Sequence, residues 1–307
     1  MSRGAGVAAV PGSLLRGAGG SLRDYLELTK PRVSALVVAT TASGFYLASP
    51  ARPDPVLFLH ALIGVALAAA GTSALNQYVE REVDGRMIRT RGRPLPAGRL
   101  RPGRALAFAL AISGAGLLHL ASMVNLLTAL LVGLTLLSYI FVYTPLKRRT
   151  SLSTLVGAIP GALPPLAGWT AATGEIAAGG LALFGILFVW QLPHSLAIAW
   201  MYREDYARGG FALLPVIDPD GGSTGRQILA QSLVLLPLSL VPAVLGMAGG
   251  AYFCGAVVLG VTLLAIALPT ALRGSAVSAR RLLMASVIYL PLLLGLMALD
   301  RTAPPLR

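Results

Sequence analysis

PVLFLHALIGVALAAAGTSAL, residues 55–75, carries no charged side chain and has the length that a helix needs to cross a bilayer. The chain has 307 residues, of which 55% are hydrophobic and 12% charged, and this composition excludes a soluble domain with a wetted surface. Eight further stretches are similarly apolar, at about 32–50, 105–121, 125–143, 153–172, 178–200, 227–248, 251–271 and 282–299. The sequence therefore predicts an all-α, polytopic membrane protein with nine transmembrane helices.

The formal net charge of +13 is concentrated in every second loop between these spans. Basic residues precede the first span and follow the second, fourth, sixth and eighth spans. This is the positive-inside pattern, so we expect a cytoplasmic N-terminus and a C-terminus outside. Topology explains the charge, and no nucleic-acid partner is predicted.

The two ends of the chain differ from its apolar body. Residues 1–22 are rich in glycine and lack a continuous apolar core, so we expect a disordered tail and not a signal peptide. Residues 23–300 are predicted to form a single transmembrane domain, and residues 301–307 a short tail. The first 22 residues contain Arg and Ser but no acid, which keeps the mitochondrial inner membrane open as an alternative to a bacterial cell (inner) membrane.

The segment after the second span, NQYVEREVDGRMIRTRGRPLPAGRL, combines acids and arginines over residues 76–100. Asn76, Glu80 and Asp84 recur every four residues, and this spacing places them on one side of a continuing helix. Two carboxylates and an amide oxygen suit a hard cation such as Mg²⁺. The alternative is that the acids neutralise neighbouring arginines on a solvated loop.

Basic residues suited to phosphate occur in two places. Arg86, Arg89 and Arg93 lie directly after the acids, and guanidinium groups match phosphate oxygens. YTPLKRRTS, which ends the fourth span, adds Lys147 and Arg148 on the same predicted face. A cation-binding acid face beside such groups suits a magnesium diphosphate. The alternative is that some of these residues only anchor the spans at the inner membrane surface.

The segment after the sixth span, WQLPHSLAIAWMYREDYARGG, supplies His194 and Asp205. His60 and His119 are predicted at the outer ends of their spans, so only His194 is expected near the inner face. An ionisable group within a membrane is a functional candidate, and a hydrogen-bonded packing role is the alternative. Asp205 is predicted to complete a second metal position.

Together these stretches resemble a known family. The acidic stretch is similar to the first acidic motif of the UbiA superfamily of intramembrane prenyltransferases, which has Asn and two Asp at four-residue spacing. RTRGRPLPAG, YTPLKRRT with GAIPGALPPLAGW, and WQLPHSLAIAWMYREDYARGGFALLPV resemble its heme O synthase (protoheme IX farnesyltransferase) branch. The motifs run from about Tyr25 to Pro215. Glu80 stands where the family usually has Asp, and Gly209 stands where sister enzymes have a second Asp.

The resemblance implies a fold and an activity. The fold is nine transmembrane helices around a central cavity open toward the inner (cytoplasmic) face. The activity is Mg²⁺-dependent farnesyl transfer from farnesyl diphosphate to heme b, with hand-over of the product to a heme A synthase left open. The implied catalytic residues are Asn76, Glu80, Asp84, Asp205 and His194, of which the first four are also the implied metal ligands. The implied substrate-binding residues are Arg86, Arg89, Arg93, Tyr143, Lys147 and Arg148.

Three other functions compete with this one. A sister enzyme that prenylates an aromatic or quinone precursor would share the diphosphate site and differ in its acceptor. A membrane transporter usually places ionisable groups near the bilayer midplane, whereas these charges are predicted at the inner boundary. A passive membrane scaffold would leave the spaced acids unexplained. We therefore expect an enzyme that farnesylates heme.

Overall fold

The structure is a computed structural model and describes residues 20–49 and 53–302. In these residues the chain folds into α-helices joined by turns, with one π-helical turn. The helices are α1 (Leu22–Leu28), α2 (Pro31–Ala48), α3 (Pro55–Asp84), α4 (Pro102–Met123), α5 (Leu126–Leu137), the π turn (Ser138–Tyr143), α6 (Thr144–Leu146), α7 (Ser153–Thr173), α8 (Ala178–Met201), α9 (Arg203–Arg208), α10 (Leu214–Ile217), α11 (Gly222–Val244), α12 (Gly250–Arg273) and α13 (Ala276–Leu299).

Long helices lie at every predicted span, which confirms the all-α membrane fold. In the described part of the chain, seven helices are long and apolar enough to cross a membrane: α3, α4, the continuous segment Leu126–Leu146, α8, α11, α12 and α13. The other two predicted spans are α2 and α7. α2 begins with Pro31 and Arg32, and α7 contains three prolines, so both are less apolar. The count of nine crossings therefore stays a prediction.

The ends of the predicted domain are partly visible. The Ser21 hydroxyl accepts a hydrogen bond from the Asp24 backbone N–H at 3.3 Å and thereby caps α1. Helical structure thus begins at the end of the stretch 1–22, which the sequence assigned to a tail. Residues 1–19 and 303–307, where the rest of both predicted tails fall, lie outside the described residues.

The helices form two groups that share a boundary. α2, α3, α4, α5 and α7 pack as one group, and α8, α11, α12 and α13 pack as the other. The groups meet where α7 contacts α8 and where α2 contacts α13. The chain order therefore places the first acidic segment in one group and the segment after α8 at the edge of the other.

Glycines let the helices of the first group approach closely. A methyl group added at Gly44 would lie 2.0 Å from the carbonyl oxygen of Pro165, and one at Gly168 would lie 2.0 Å from that of Thr41. α2 and α7 are therefore in backbone contact. Small residues commonly allow such contact in membranes, where no hydrophobic force drives helices together.

α3 is 30 residues long, and its last turns are polar. The Asp54 carboxylate accepts from the Val56 backbone N–H at 2.8 Å and caps its first turn. No proline or glycine interrupts the helix between Gly71 and Gly85, so it continues past the apolar stretch 55–75. The structure therefore contains the continuous helix that the spacing of Asn76, Glu80 and Asp84 predicts.

The π turn lies inside the helical segment Leu126–Leu146. A π turn contains one residue more than a turn of α-helix and often occurs at functional sites. Here the Thr144 hydroxyl donates to the Tyr139 carbonyl at 2.8 Å across the turn. The turn directs Tyr139 and Tyr143 toward cavities within the bundle.

We predict that Gly44→Ala destabilises the protein. The new methyl group would meet the backbone of α7, which moves only with the whole helix. Such overpacking typically costs about 1–3 kcal/mol, so the midpoint of thermal unfolding in detergent should fall by several degrees. Gly114→Ala is the matched control, because a methyl group there meets nothing within 4 Å. Equal midpoints for the two variants would contradict the assigned contact between α2 and α7.

Candidate active site

The three spaced polar residues of α3 lie on one buried face, as the sequence predicts. Asn76, Glu80 and Asp84 are 2%, 8% and 1% exposed. The Asn76 amide donates to Glu80 Oε2 at 3.0 Å and to the Thr144 hydroxyl at 3.4 Å. A buried carboxylate requires a cation or several hydrogen-bond donors, so the neighbours of these acids determine the character of the site.

Each acid on this face is paired with a cation from another part of the chain. Lys147 Nζ lies 2.5 Å from Glu80 Oε1, and Arg93 Nη1 lies 2.6 Å from Asp84 Oδ2. Burial alone would lower the pKa of the Lys147 ammonium, but the Glu80 carboxylate holds that pKa above its usual value. Lys147 and Arg93, predicted from sequence to bind substrate, are therefore brought to the acids.

Lys30 belongs to the same cluster, although the sequence analysis treated it only as a topology signal. Its Nζ donates to Asn76 Oδ1 at 2.9 Å. Burial lowers the pKa of Lys30 to about 7, and the positive charge of Arg93 acts in the same direction. The residue has φ +46°, a left-handed conformation that a side chain other than glycine seldom adopts. The available sequence signal was a single lysine directly before Pro31.

Asp205 is held by the loop that follows α3. Its carboxylate accepts the backbone N–H groups of Ile88 at 2.7 Å and Arg89 at 3.1 Å, and Arg208 Nη2 lies 3.1 Å away. Burial alone would raise the pKa of Asp205, but the two backbone donors and the guanidinium hold it below its usual range. Asp205 thus ties α9 to the loop carrying Arg89.

Three of the other predicted substrate-binding residues lie at different distances from the cluster. Arg89 donates to the Tyr206 hydroxyl at 3.3 Å and lies over the rings of Tyr202 and Tyr206. Arg86 and Arg148 are exposed, and in the described residues no side-chain hydrogen bond joins either to an acid. Of these three residues, Arg89 is positioned by side-chain contacts, which are made with two tyrosines and not with the α3 acids.

Tyr143, also predicted to bind substrate, is half-buried beside the cluster. Lys147 Nζ lies 4.8 Å from the centre of its ring. The Tyr139 ring lies 5.0 Å from the Tyr143 ring. The π turn thus places two aromatic rings next to the paired ions.

His194 lies between α8 and α13. Its Nδ1 is 2.8 Å from the Ser286 hydroxyl, and its ring stacks on Trp190 with the ring centres 5.0 Å apart. The Trp190 indole donates to the Ser286 carbonyl at 2.8 Å. These contacts join α8 to α13 and do not bring His194 to the acids of α3. The functional role of His194 stays a prediction.

The donor set on α3 fits a hard divalent cation by its chemistry. Two carboxylates and an amide oxygen are ligands that Mg²⁺ accepts. The described residues contain no group of three His, Cys, Asp or Glu side chains placed to hold an ion. Glu80 and Asp84 are paired with Lys147 and Arg93 in this arrangement, so metal binding requires those cations to change partners.

Two cavities of about 250 Å³ each lie within the bundle, one of them lined by Lys30 of the polar cluster. We call the first the apolar cavity; it lies between α2, α3, α7 and the continuous segment Leu126–Leu146, which we call the α5 segment. Lys30 lies at one end of this cavity. We call the second the tyrosine cavity; it is lined by Tyr139, Tyr143, Thr154, Gly157, Ala158, Gly161, Gln191, Ser195, Ile198, Ala199, Tyr206 and Leu213. Tyr139 and Gly161 line both cavities, so the two meet there.

Known proteins are similar in sequence to this chain along most of its length. A protoheme IX farnesyltransferase of Solibacter usitatus is 52% identical over 289 residues, which cover 91% of this chain and 99% of that one. A protoheme IX farnesyltransferase of Koribacter versatilis is 44% identical over 291 residues, covering 92% and 94% of the two chains.

Solved structures share the fold at low identity. A structure described as a digeranylgeranylglyceryl phosphate synthase superposes with a TM-score of 0.77 at 16% identity and covers 91% of this chain and 98% of its own. A UbiA homologue from Archaeoglobus fulgidus bound to GPP and Mg²⁺ superposes with a TM-score of 0.64 at 17% identity, covering 89% and 99%.

The family model described as the UbiA prenyltransferase family matches residues 37–295. The predicted resemblance is thereby confirmed. Because this match spans most of the chain and the relatives align along nearly all of it, the chain belongs to the UbiA prenyltransferase family.

Proposed function

We propose that this protein transfers the farnesyl group of farnesyl diphosphate to the 2-vinyl group of heme b with addition of water, giving heme O and diphosphate. The observation that carries the proposal is the cluster of Lys30, Lys147 and Arg93 around the buried α3 acids, with Lys30 also lining the apolar cavity. Relatives at 44–52% identity that are named protoheme IX farnesyltransferases support heme as the acceptor.

The cluster suits the diphosphate end of the donor. Breaking the bond between C1 of farnesyl and the diphosphate oxygen puts negative charge on the departing group. Lys30, Lys147 and Arg93 would bind its oxygens, and preplaced donors of this kind typically contribute a few kcal/mol, about 2.7–4 for one donor in a water-poor site. Mg²⁺, when bound, would neutralise part of the same charge. Asn76, Glu80 and Asp84 would hold the ion.

We propose that Asp205 fixes the position of the loop that carries Arg89. The sequence analysis proposed Asp205 as a further metal ligand, and that role remains compatible with a carboxylate at this end of the bundle. In the arrangement seen, its oxygens are engaged by Ile88, Arg89 and Arg208. Its direct effect is thus to hold the loop that carries Arg89 near the diphosphate position.

The apolar cavity suits the hydrocarbon chain of the donor. It follows one face of α3 from Val65 to Ser73, and Asn76 continues that face toward the basic end. The distance from Val65 to Asn76 is about 16 Å at the helical rise, close to the length of an extended farnesyl chain. Its apolar walls would shield the allylic cation from premature attack by water.

We propose that the protein lies in a bacterial cell membrane with its N-terminus in the cytoplasm and its C-terminus outside. The alternating basic loops support this orientation. A tag fused after Arg307 should be digested by protease added to intact spheroplasts, and a tag before Met1 should be protected. Protection of the C-terminal tag alone would reverse the orientation. Hand-over of the product to a heme A synthase is a separate proposal that follows from the chemistry of the product.

We predict that heme is the preferred acceptor. The purified protein, given Mg²⁺, farnesyl diphosphate and equal concentrations of heme b and 4-hydroxybenzoate, should yield a heme heavier by one farnesyl group plus water, measured by mass spectrometry. We expect this result because the chain is 52% identical to a relative named protoheme IX farnesyltransferase. A prenylated benzoate with unchanged heme would instead support a sister enzyme with an aromatic acceptor.

We predict that Asp84→Asn lowers turnover of farnesyl diphosphate by about 10²-fold or more, because it removes a charge that holds Mg²⁺ and orients Arg93. Release of diphosphate by purified protein in detergent measures the effect. Glu82→Gln is the matched control, because Glu82 is an exposed acid of the same helix and, among residues 20–49 and 53–302, forms its ion pair with Arg81 alone. Its turnover should stay within about twofold of the unchanged protein, as for most surface substitutions. Near-normal turnover by Asp84→Asn would overturn the assignment of the acid face.

A further inference from the structure

Gln191 is a polar residue deep in the bundle to which the proposed mechanism gives no role so far. It lies in α8, ten residues before the helix ends at Met201. At the helical rise per residue, this places Gln191 about 15 Å from that end of the helix. Its side chain lines the tyrosine cavity. A polar side chain at such a depth is expensive in a membrane protein and is a candidate for function.

Backbone contacts fix the orientation of the Gln191 amide. Its Nε2 donates to the Ala158 carbonyl at 2.9 Å and to the Leu187 carbonyl at 3.0 Å. Both amide hydrogens are therefore used, and the side-chain oxygen must point the other way. In the described residues no protein donor bonds to Gln191 Oε1. The oxygen is an oriented acceptor at the cavity wall.

This oxygen lies where the two cavities meet. A methyl group added at Gly161 would be only 2.1 Å from Gln191 Oε1, so the oxygen lies directly over that glycine. Gly161 lines both the apolar cavity and the tyrosine cavity. Ser195, one helical turn from Gln191, lines the tyrosine cavity too and adds a hydroxyl. The apolar cavity therefore borders the polar side chains of Gln191 and Ser195 at Gly161.

We propose that Gln191 Oε1, with help from the Ser195 hydroxyl, holds the water molecule that is added to heme after farnesyl transfer. The inference rests on the proposed function and deepens it. The function explains why a prenyltransferase needs a water at all, and the position of the oxygen on the wall of the tyrosine cavity would keep that water out of the apolar cavity.

The step balances in atoms and charge. The C1–O bond of farnesyl diphosphate breaks, and its electron pair leaves with the diphosphate. The vinyl group then uses its π electrons to bond its terminal carbon to farnesyl C1, which leaves a cation on the carbon next to the porphyrin ring. The held water bonds to that carbon through oxygen, and its proton passes to the released diphosphate. Without this water, the cation loses a proton and gives an alkene.

The test is the ratio of two products made by Gln191→Met. Methionine has similar length but no acceptor oxygen, so farnesyl transfer should continue while water capture fails. Among the farnesylated hemes, mass spectrometry should show the ratio of hydroxylated product to the alkene, which is lighter by one water, falling by about fivefold, the effect of one hydrogen bond of typical strength. Gln227→Met is the matched control, because Gln227 is exposed on α11, and its product ratio should not change.

A second variant covers the case in which Gln191→Met does not fold. Gly161→Ala keeps the amide but pushes its oxygen away from the junction, and it should shift the ratio in the same direction. An unchanged ratio in a folded variant would overturn the proposal. Loss of both farnesylated hemes in a variant with a normal unfolding midpoint would do so as well, since a water-positioning residue does not act before the carbon–carbon bond forms. If the unchanged protein farnesylates no heme, the proposed function itself has failed.

Discussion

The structure depends on two carboxylates that are buried on one face of α3. A buried carboxylate is costly unless a cation meets it, and removing one partner of such a pair typically costs about 3–5 kcal/mol. Glu80 forms an ion pair with Lys147, at the end of the α5 segment, and Asp84 forms one with Arg93, in the loop after α3. The acids therefore determine where two separate parts of the chain must lie. Lys30 joins through Asn76 and adds the start of α2 to the same cluster.

The same pairs would serve ligand binding under the proposed function. A magnesium diphosphate would offer a new partner to each of these acids and cations. Carboxylates prefer the metal, and ammonium and guanidinium groups bind phosphate oxygens. Binding then exchanges partners without exposing an isolated charge. Under that proposal, the charges of the substrate would replace the protein's own ion pairs, so that no buried charge is left without a partner.

Residues within one helix were the ones that the sequence could predict. Asn76, Glu80 and Asp84 share a face because of the helical period, and this held because no residue breaks α3 before Gly85. The alternation of basic loops and the apolar lengths likewise predicted the all-α membrane fold. Lys147 was identified because a basic residue at a span end near a phosphate site is a local signal.

Contacts between distant segments could not be predicted in this way. The role of Lys30 depends on a left-handed backbone and on a partner 46 residues away. Asp205 was recognised as an acid of the site, but its bonds to Ile88 and Arg89 span more than a hundred residues. His194 was singled out because it was the histidine expected near the inner face, but its hydrogen bond to Ser286 on α13 spans 92 residues and has no local signal. The spacing of residues along one helix does not show which other helix a side chain will contact.

Because of the π turn, the position of the YTPLK motif depends on the number of residues in the segment before it as well as on their types. Each residue added to or removed from a helix rotates everything beyond it by about 100°. Lys147 meets Glu80 because the turn at Ser138–Tyr143 holds one residue more than an α-helical path would need. A related chain could keep YTPLK unchanged and still lose this pairing through a single deletion upstream. Evolution within this segment is therefore expected to tolerate substitutions more readily than insertions or deletions.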